Sequence, residues 1–319
     1  MKIRKEFTTN PAFGTQPEKR SIEQLLRSGI VLINKPCGPS SHEVSAFVAK
    51  ILGIEKSGHT GTLDPQVSGV LPVMLGSATK ISRFITAKDK EYVGIMKLHK
   101  DISTEKILAG MKSFVGEITQ LPPLKSAVAR RFRQRKIYDF KFIEKNGPQV
   151  LFSCRCEAGT YIRTLCADLG KKLGTGAHMI ELRRTAVGRL SEKDCFTLQE
   201  LSDAFWLHKH KGEEGEIRKI LRPVESLIDL KKVVIDDLAA GAVCAGAQLA
   251  VPGVVATDEN INKGELINIL TLKNELVSIS QAEMSTEQML SEERGIVART
   301  VRVVMPRGVY PEKRPTADS

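Results

Sequence analysis

The chain has 319 residues, 41% hydrophobic and 27% charged, an ordinary soluble composition long enough for two domains and a sizeable core. No apolar run approaches the ~18 residues of a membrane helix, and residues 1–7 lack the apolar segment of a signal peptide, so a helical membrane function is excluded and a cytoplasmic location expected. The six cysteines (37, 154, 156, 166, 195 and 244) form no Cys-x-x-Cys pair, which speaks against metal ligation or a disulfide framework and for a reducing compartment.

The formal charge is +11 and unevenly spread: residues 229–311 carry 8 Lys and Arg against 11 Asp and Glu, a net of −3, leaving +14 on residues 1–228. A basic surface of that size attracts polyanions, nucleic acid first among them. In chain order, residues 1–28 read as a polar extension punctuated by Asn10-Pro11 and Pro17-Glu18. Ile30 to Ile33 reads as a buried strand stopped by Lys35-Pro36 and Gly38-Pro39. Ser40 and Glu43 have capping-box spacing, opening a helix with an apolar face of Val44, Phe47, Val48, Ile51 and Leu52.

Residues 58–65, Gly-His-Thr-Gly-Thr-Leu-Asp-Pro, set one acidic residue among glycines and prolines. Glycine allows unusual backbone angles and Pro65 drives Asp64 out of helical conformation. Asp64 is thus expected on a shaped loop, suited to nucleophile, base or metal-ligand work or, more blandly, to capping a turn. A strand with Tyr92 near its start follows, then a helix over 103–114. Residues 125–136 hold six positive charges and no negative ones: Lys125, Arg130, Arg131, Arg133, Arg135 and Lys136. They are expected to form a loop that touches nucleic-acid phosphates, with a merely solvated loop as the alternative.

Residues 149–157 alternate as a strand. Gly159-Thr160-Tyr161-Ile162-Arg163 then opens a helix whose stripe is Ile162, Leu165, Cys166, Leu169 and Leu173. Arg163 lies off that stripe in the first turn, where a cation wants an anion beside it. His208 and His210, on a polar helical stretch, read as a solvated face. From 231 to 311 short apolar runs alternate with Gly/Asp/Asn turns, an all-β barrel pattern.

The blocks Asn34-Lys35-Pro36-x-Gly-x-Ser-Ser, 58–65 with Asp64, Lys90-Glu91-Tyr92, Gly159 to Arg163, and Leu182-Arg183-Arg184-Thr185 resemble, in order, the motifs of the TruB/dyskerin family of pseudouridine synthases. Residues 246–254 and Lys263-Gly264-Glu265 resemble its PUA domain. The long N-terminal extension is similar to the archaeal dyskerin type, the catalytic subunit of box H/ACA ribonucleoproteins. The resemblance implies an α+β pseudouridine synthase fold, with a central mixed, mainly antiparallel sheet flanked by helices and loops, plus a small C-terminal β-barrel. The implied domains are an extension at 1–28 packing on the PUA domain, a catalytic domain at 29–229, the PUA domain at 230–311 and a tail at 312–319.

It further implies Asp64, Tyr92 and Arg163 as catalytic, and His59, Leu182, Tyr161 and Lys35 around the substrate. The basic residues at 125–136, with Gly246 and Lys263, would bind RNA. No cofactor and no metal are implied. The implied reaction is uridine-to-pseudouridine isomerisation in rRNA, and in tRNA U55 beside it, directed by a box H/ACA guide RNA. The implied partners are small core proteins of the Nop10 and Gar1 type and a kink-turn-binding ribosomal-type protein, in an archaeal cytoplasm or, for a eukaryotic source, the nucleolus. The alternatives are a stand-alone tRNA pseudouridine-55 synthase and a non-catalytic RNA-binding scaffold.

Overall fold

The computed structural model describes residues 1–122 and 131–312. They divide into two compact units, one of Val31–Met74 and Ser82–Ile220, the other of Met1–Ile30, Leu75–Ile81 and the described chain from Leu221 onward.

In the first unit, strand β1 (Gly29–Lys35) is buried along nearly its whole length. Helix α1 (Ser41–Leu52) starts at a complete capping box: Glu43 N–H donates to Ser40 Oγ (3.2 Å), and Ser40 N–H to the Glu43 carboxylate (2.8 Å). It stops at Gly53, in the left-handed conformation that favours glycine. There follow β2 (Ser68–Leu75), β3 (Lys90–Leu98), α2 (Thr104–Lys112), β4 (Gly116–Gln120), β5 (Arg133–Asn146), β6 (Gln149–Cys156), α3 (Ile162–Lys172), β7 (Ala177–Val187) and α4 (Leu198–Lys211). The sheet runs β1-β2-β7-β3-β6-β5-β4. The β2/β7 pair is parallel, with Ser68 opposite Arg183 and Gly69 opposite Arg184; β7/β3, β3/β6, β6/β5 and β5/β4 are antiparallel.

Two-residue alternation sorts the side chains of β3. Lys90, Tyr92, Met96 and Leu98 turn inward, while Glu91 and Lys97 are exposed. Cys154 and Cys156 are buried on the same side, against the α3 stripe of Ile162, Leu165, Cys166 and Leu169. Leu63, Val67, Tyr92 and Leu182 belong to this same core. The loop carrying Asp64 is therefore anchored in the core at both of its apolar residues.

In the second unit a seven-stranded sheet holds β8 (Lys231–Ile235), β9 (Val254–Thr257), β10 (Leu266–Thr271), β11 (Leu276–Ala282) and β12 (Ile296–Val303). Its edges are Lys2–Ile3 and Leu249–Ala250. The N-terminal segment is tied to this unit by charge-assisted bonds. Lys5 pairs with Asp236 (2.6 Å), Thr9 Oγ1 and Asn10 N–H donate to Asp237, and Lys273 donates to the carbonyls of Asn10, Pro11 and Phe13. Arg20 grips Glu225 with two bonds, of 2.9 and 2.7 Å.

Candidate active site

Thr60 to Val67 leaves the sheet after the short strand Ser57–His59 and returns at β2. Its shape is imposed mostly by the block that follows β1. The Lys35 ammonium, fully buried, donates to the carbonyls of Pro36 (2.9 Å), Pro65 (3.0 Å) and Val67 (2.9 Å). Gly38 N–H donates to Pro65 O (2.9 Å). The Ser41 hydroxyl donates to Leu63 O (2.9 Å) and accepts from Leu63 N–H (2.8 Å), and the Cys37 thiol reaches Gln66 O (3.3 Å). Asp64 sits between the clamped Leu63 and Pro65, its own carbonyl closing a turn with Val67 N–H (3.0 Å).

The Asp64 carboxylate is thereby held out of the core, its side chain 55% exposed, and it accepts from Arg163 Nη2 at 2.5 Å. Arg163 lies in the first turn of α3, where the positive helix end disfavours a cation without a counter-charge. Asp64 supplies that charge. A pair this exposed adds only about 0–1 kcal/mol to stability, so its consequence is the direction in which one carboxylate oxygen points.

Tyr92 and Leu182 flank the loop from β3 and β7, both inside the core. Burial is the main cause that pushes the Tyr92 phenol up to about 12, opposed by the charge of Arg184. Arg184 is directly opposite Tyr92 in the β3/β7 register and is 1% exposed. Its Nε donates to Val70 O (2.8 Å). His59 is half-buried with Nδ1 unpartnered. Burial first, then the charges of His42 and Arg184, hold its pKa below the usual imidazole value, so it is neutral at pH 7. A carboxylate aimed by a guanidinium suits nucleophilic or base chemistry.

Residues 49–162 match the TruB family pseudouridylate synthase N-terminal domain, 163–229 the tRNA pseudouridylate synthase B C-terminal domain, 231–304 the PUA domain and 1–45 the DKCLD domain. A protein of Methanosarcina barkeri named "Probable tRNA pseudouridine synthase B" is 48% identical over 305 residues, covering 95% of this chain and 90% of the relative. One of the same name from Archaeoglobus fulgidus is 48% identical over 311 residues, covering 97% and 96%.

The chain belongs to the TruB family of pseudouridine synthases.

Among solved structures, it is similar to a chain of a Cbf5-Nop10-Gar1 complex, with 47% identity, a TM-score of 0.89 and 97% and 95% of the two chains covered. A chain of an H/ACA ribonucleoprotein bound to a substrate RNA containing 2′-deoxyuridine shares 45% identity at a TM-score of 0.89, covering 97% and 96%. The pseudouridine synthase fold with its PUA domain thus accounts for the mixed, mainly antiparallel sheet and the seven-stranded C-terminal one.

Two expectations need correcting. Lys35 does not line the pocket. It is a buried clamp under the loop, because three backbone carbonyls converge on its ammonium. Nor is 125–136 one loop: from Arg133 the chain is β5, paired with β4 so that Arg133 faces Gln120 and Arg135 faces Ile118. Lys125 and Arg130 lie outside the described residues. Arg131 and Lys136 are exposed, Lys136 lying 5.9 Å over the Tyr138 ring. Arg135 is 3.9 Å from Glu157 and packs on Gly159. Tyr161 is the residue capping α3, its N–H and carbonyl both bonded to the Gln120 amide (3.0 and 3.1 Å).

In the second unit, Gly246 has a φ of +106° with open space before it. Lys263 is exposed, 3.9 Å from Glu283. Sequence reasoning missed Ser41, Lys90 and Arg184. The last two lie two residues from Tyr92 and Leu182 on strands, so period-two counting places them on the same buried face.

Proposed function

We propose that this enzyme isomerises uridine to pseudouridine in rRNA under the direction of a box H/ACA guide RNA. The observation that carries this reading is the full-length similarity to chains of H/ACA complexes, together with the Asp64–Arg163 pair at the mouth of the site. Asp64 acts on C1′ of the target ribose, Arg163 aims its carboxylate, and Tyr92 stacks on the uracil and takes part in moving its C5 proton. His59, Leu182 and Tyr161 line the pocket that receives the flipped nucleotide, whose extrusion costs a few kcal/mol. Lys125, Arg130, Arg131, Arg133, Arg135 and Lys136 hold RNA backbone, and Gly246 and Lys263 belong to a PUA groove for the guide.

The domain division that goes with this reading is extension 1–28, catalytic domain 29–229, PUA domain 230–311 and tail 312–319. Small proteins of the Nop10 and Gar1 type and a kink-turn-binding ribosomal-type protein complete the particle in an archaeal cytoplasm. A second reading, guide-free modification of tRNA U55, draws support from the names of the curated relatives. The test is to sequence the RNA that co-purifies with the tagged protein and to map pseudouridine in rRNA and tRNA with and without that RNA. Guide-like RNAs, and rRNA sites that vanish without them, are expected. Modification of tRNA alone, undiminished without any guide, would favour the second reading.

A further inference from the structure

Beneath the catalytic loop lie two buried cations that no catalytic role above accounts for. Arg184 is 1% exposed and Lys90 5% exposed. Both side chains sit under Gly61: a Cβ built on that residue would lie 3.2 Å from Arg184 Nη1 and 3.6 Å from Lys90 Cε. Gly61 has a φ of +66°, so the loop passes over them in a conformation that favours glycine. The Lys90 ammonium is satisfied by two backbone carbonyls, those of Thr86 (2.5 Å) and Lys88 (2.6 Å). Arg184 Nε donates to Val70 O and the residue lies opposite Tyr92 in the strand register, while its Nη2 is buried with no partner. Among the described residues neither cation forms a salt bridge, and Asp64, the nearby carboxylate of the loop, is already held by Arg163.

Burying a charge without a counter-ion costs several kcal/mol. Such an arrangement persists where negative charge develops during the reaction, since an oriented cation in a dry site needs no reorganisation at that moment. In a uridine isomerisation the C1′–N1 bond breaks with its electron pair on nitrogen, so the detached uracil is an anion. C1′ is meanwhile captured by the Asp64 carboxylate, or a C2′ proton is lost to a base. The uracil charge disappears when C5 bonds to C1′ as the Asp64–C1′ ester bond breaks and frees the carboxylate, or, on the other route, as C2′ regains its proton; the C5 proton is then lost and N1 gains one. Both routes pass through the same detached anion.

We propose that Arg184 and Lys90 form a buried cationic floor to the catalytic loop whose field stabilises the anionic uracil released from C1′. This rests on the reading of the chain as a pseudouridine synthase acting at Asp64. Arg184 works through its charge beside the Tyr92 phenol, which it faces across the two strands, and Lys90 through the loop above it. Both are positioning residues, set behind the groups that meet the substrate. Burial, with Arg184 as the second cause, already lowers the Lys90 pKa to about 8, the signature of two like charges sharing one dry space.

The test compares two substrates on one active enzyme, with uridine or 5-fluorouridine at the target position of the same RNA. 5-Fluorouracil is the more acidic base, so its anion needs less help from the protein. Lys90→Met keeps the buried stem and removes the charge; Arg184→Gln and Arg184→Lys remove and keep it. For Lys90→Met and Arg184→Gln the expected result is unchanged RNA affinity and a single-turnover loss of about tenfold or more on uridine. The loss on 5-fluorouridine, followed chromatographically as disappearance of the N-glycoside, should be several times smaller. Arg184→Lys should recover part of the uridine rate. Equal losses on both substrates, or none on either, overturn the proposal and leave these residues as loop support alone.

Discussion

Asp64 and Arg163 are each more than half exposed, so their 2.5 Å contact serves orientation far more than folding. Asp64→Asn keeps the side-chain shape, and the expected outcome is no detectable pseudouridine with near-normal RNA affinity in a filter-binding assay. Arg163→Lys leaves one ammonium where a planar fork aimed the carboxylate. A single-turnover rate lower by about a hundredfold is expected, with an unfolding midpoint unchanged within error. A rate within about twofold of wild type would assign Arg163 to solvent.

Lys90 carries a pH prediction. Its folded pKa, lowered by burial to about 8, lies below the ordinary 10.5, so the unfolded chain binds the extra proton between those values. The penalty for the buried charge is complete below pH 8 and fades as pH rises towards 10.5. The stability difference between Lys90→Met and wild type, which also contains the lost bonds to the Thr86 and Lys88 carbonyls, should therefore move in favour of wild type by a few kcal/mol over that window in urea titrations. A gap independent of pH would mean that Lys90 is not strained by its charge.

At the scale of elements, the block after β1 and the Asp64 loop act as one device, because Lys35, Gly38 and Ser41 take up the loop's backbone groups. Lys35→Met removes the ammonium donor from the carbonyls of Pro36, Pro65 and Val67, leaving Pro65 with the Gly38 N–H alone. A loss of about 2–4 kcal/mol is expected, with faster amide exchange at Leu63 and Val67 than at β3. The start of β2 is held as tightly. Gly69 has a φ of +106° and a Cβ there would meet the Arg184 carbonyl at 2.1 Å, so Gly69→Ala should break the β2/β7 register and cost several kcal/mol.

The loop and the Ser40/Glu43 cap were legible because glycine, proline and capping residues act locally. The Asp64–Arg163 contact spans 99 positions; the off-stripe charge of Arg163 showed that it needed an anion, and the family resemblance pointed to Asp64. Lys35 was placed at the substrate because its motif accompanies the Asp64 block; the three carbonyls that converge on its ammonium come from positions up to 32 residues away and meet only in the folded chain. Arg184 was overlooked because Leu-Arg-Arg-Thr was read for its leucine rather than for strand alternation.

At the scale of the whole molecule the charge is divided, +14 on residues 1–228 and −3 on 229–311. Salt-dependent RNA binding should follow that division, each neutralised phosphate contributing roughly 0.7–0.9 to the slope of log affinity against log salt. Neutralising Arg130, Arg131, Arg133 and Arg135 together is expected to flatten the slope on unrelated RNAs. The central claim is that Asp64, on its clamped loop, modifies the uridine that a guide RNA selects. Its most direct measurement is reconstitution of the assembled enzyme with a guide RNA whose pairing arms have been rewritten, followed by mapping of pseudouridine in a matching target. The modified position should move with the rewritten guide and vanish in Asp64→Asn. A position that ignores the guide, or pseudouridine that persists in Asp64→Asn, would contradict the account.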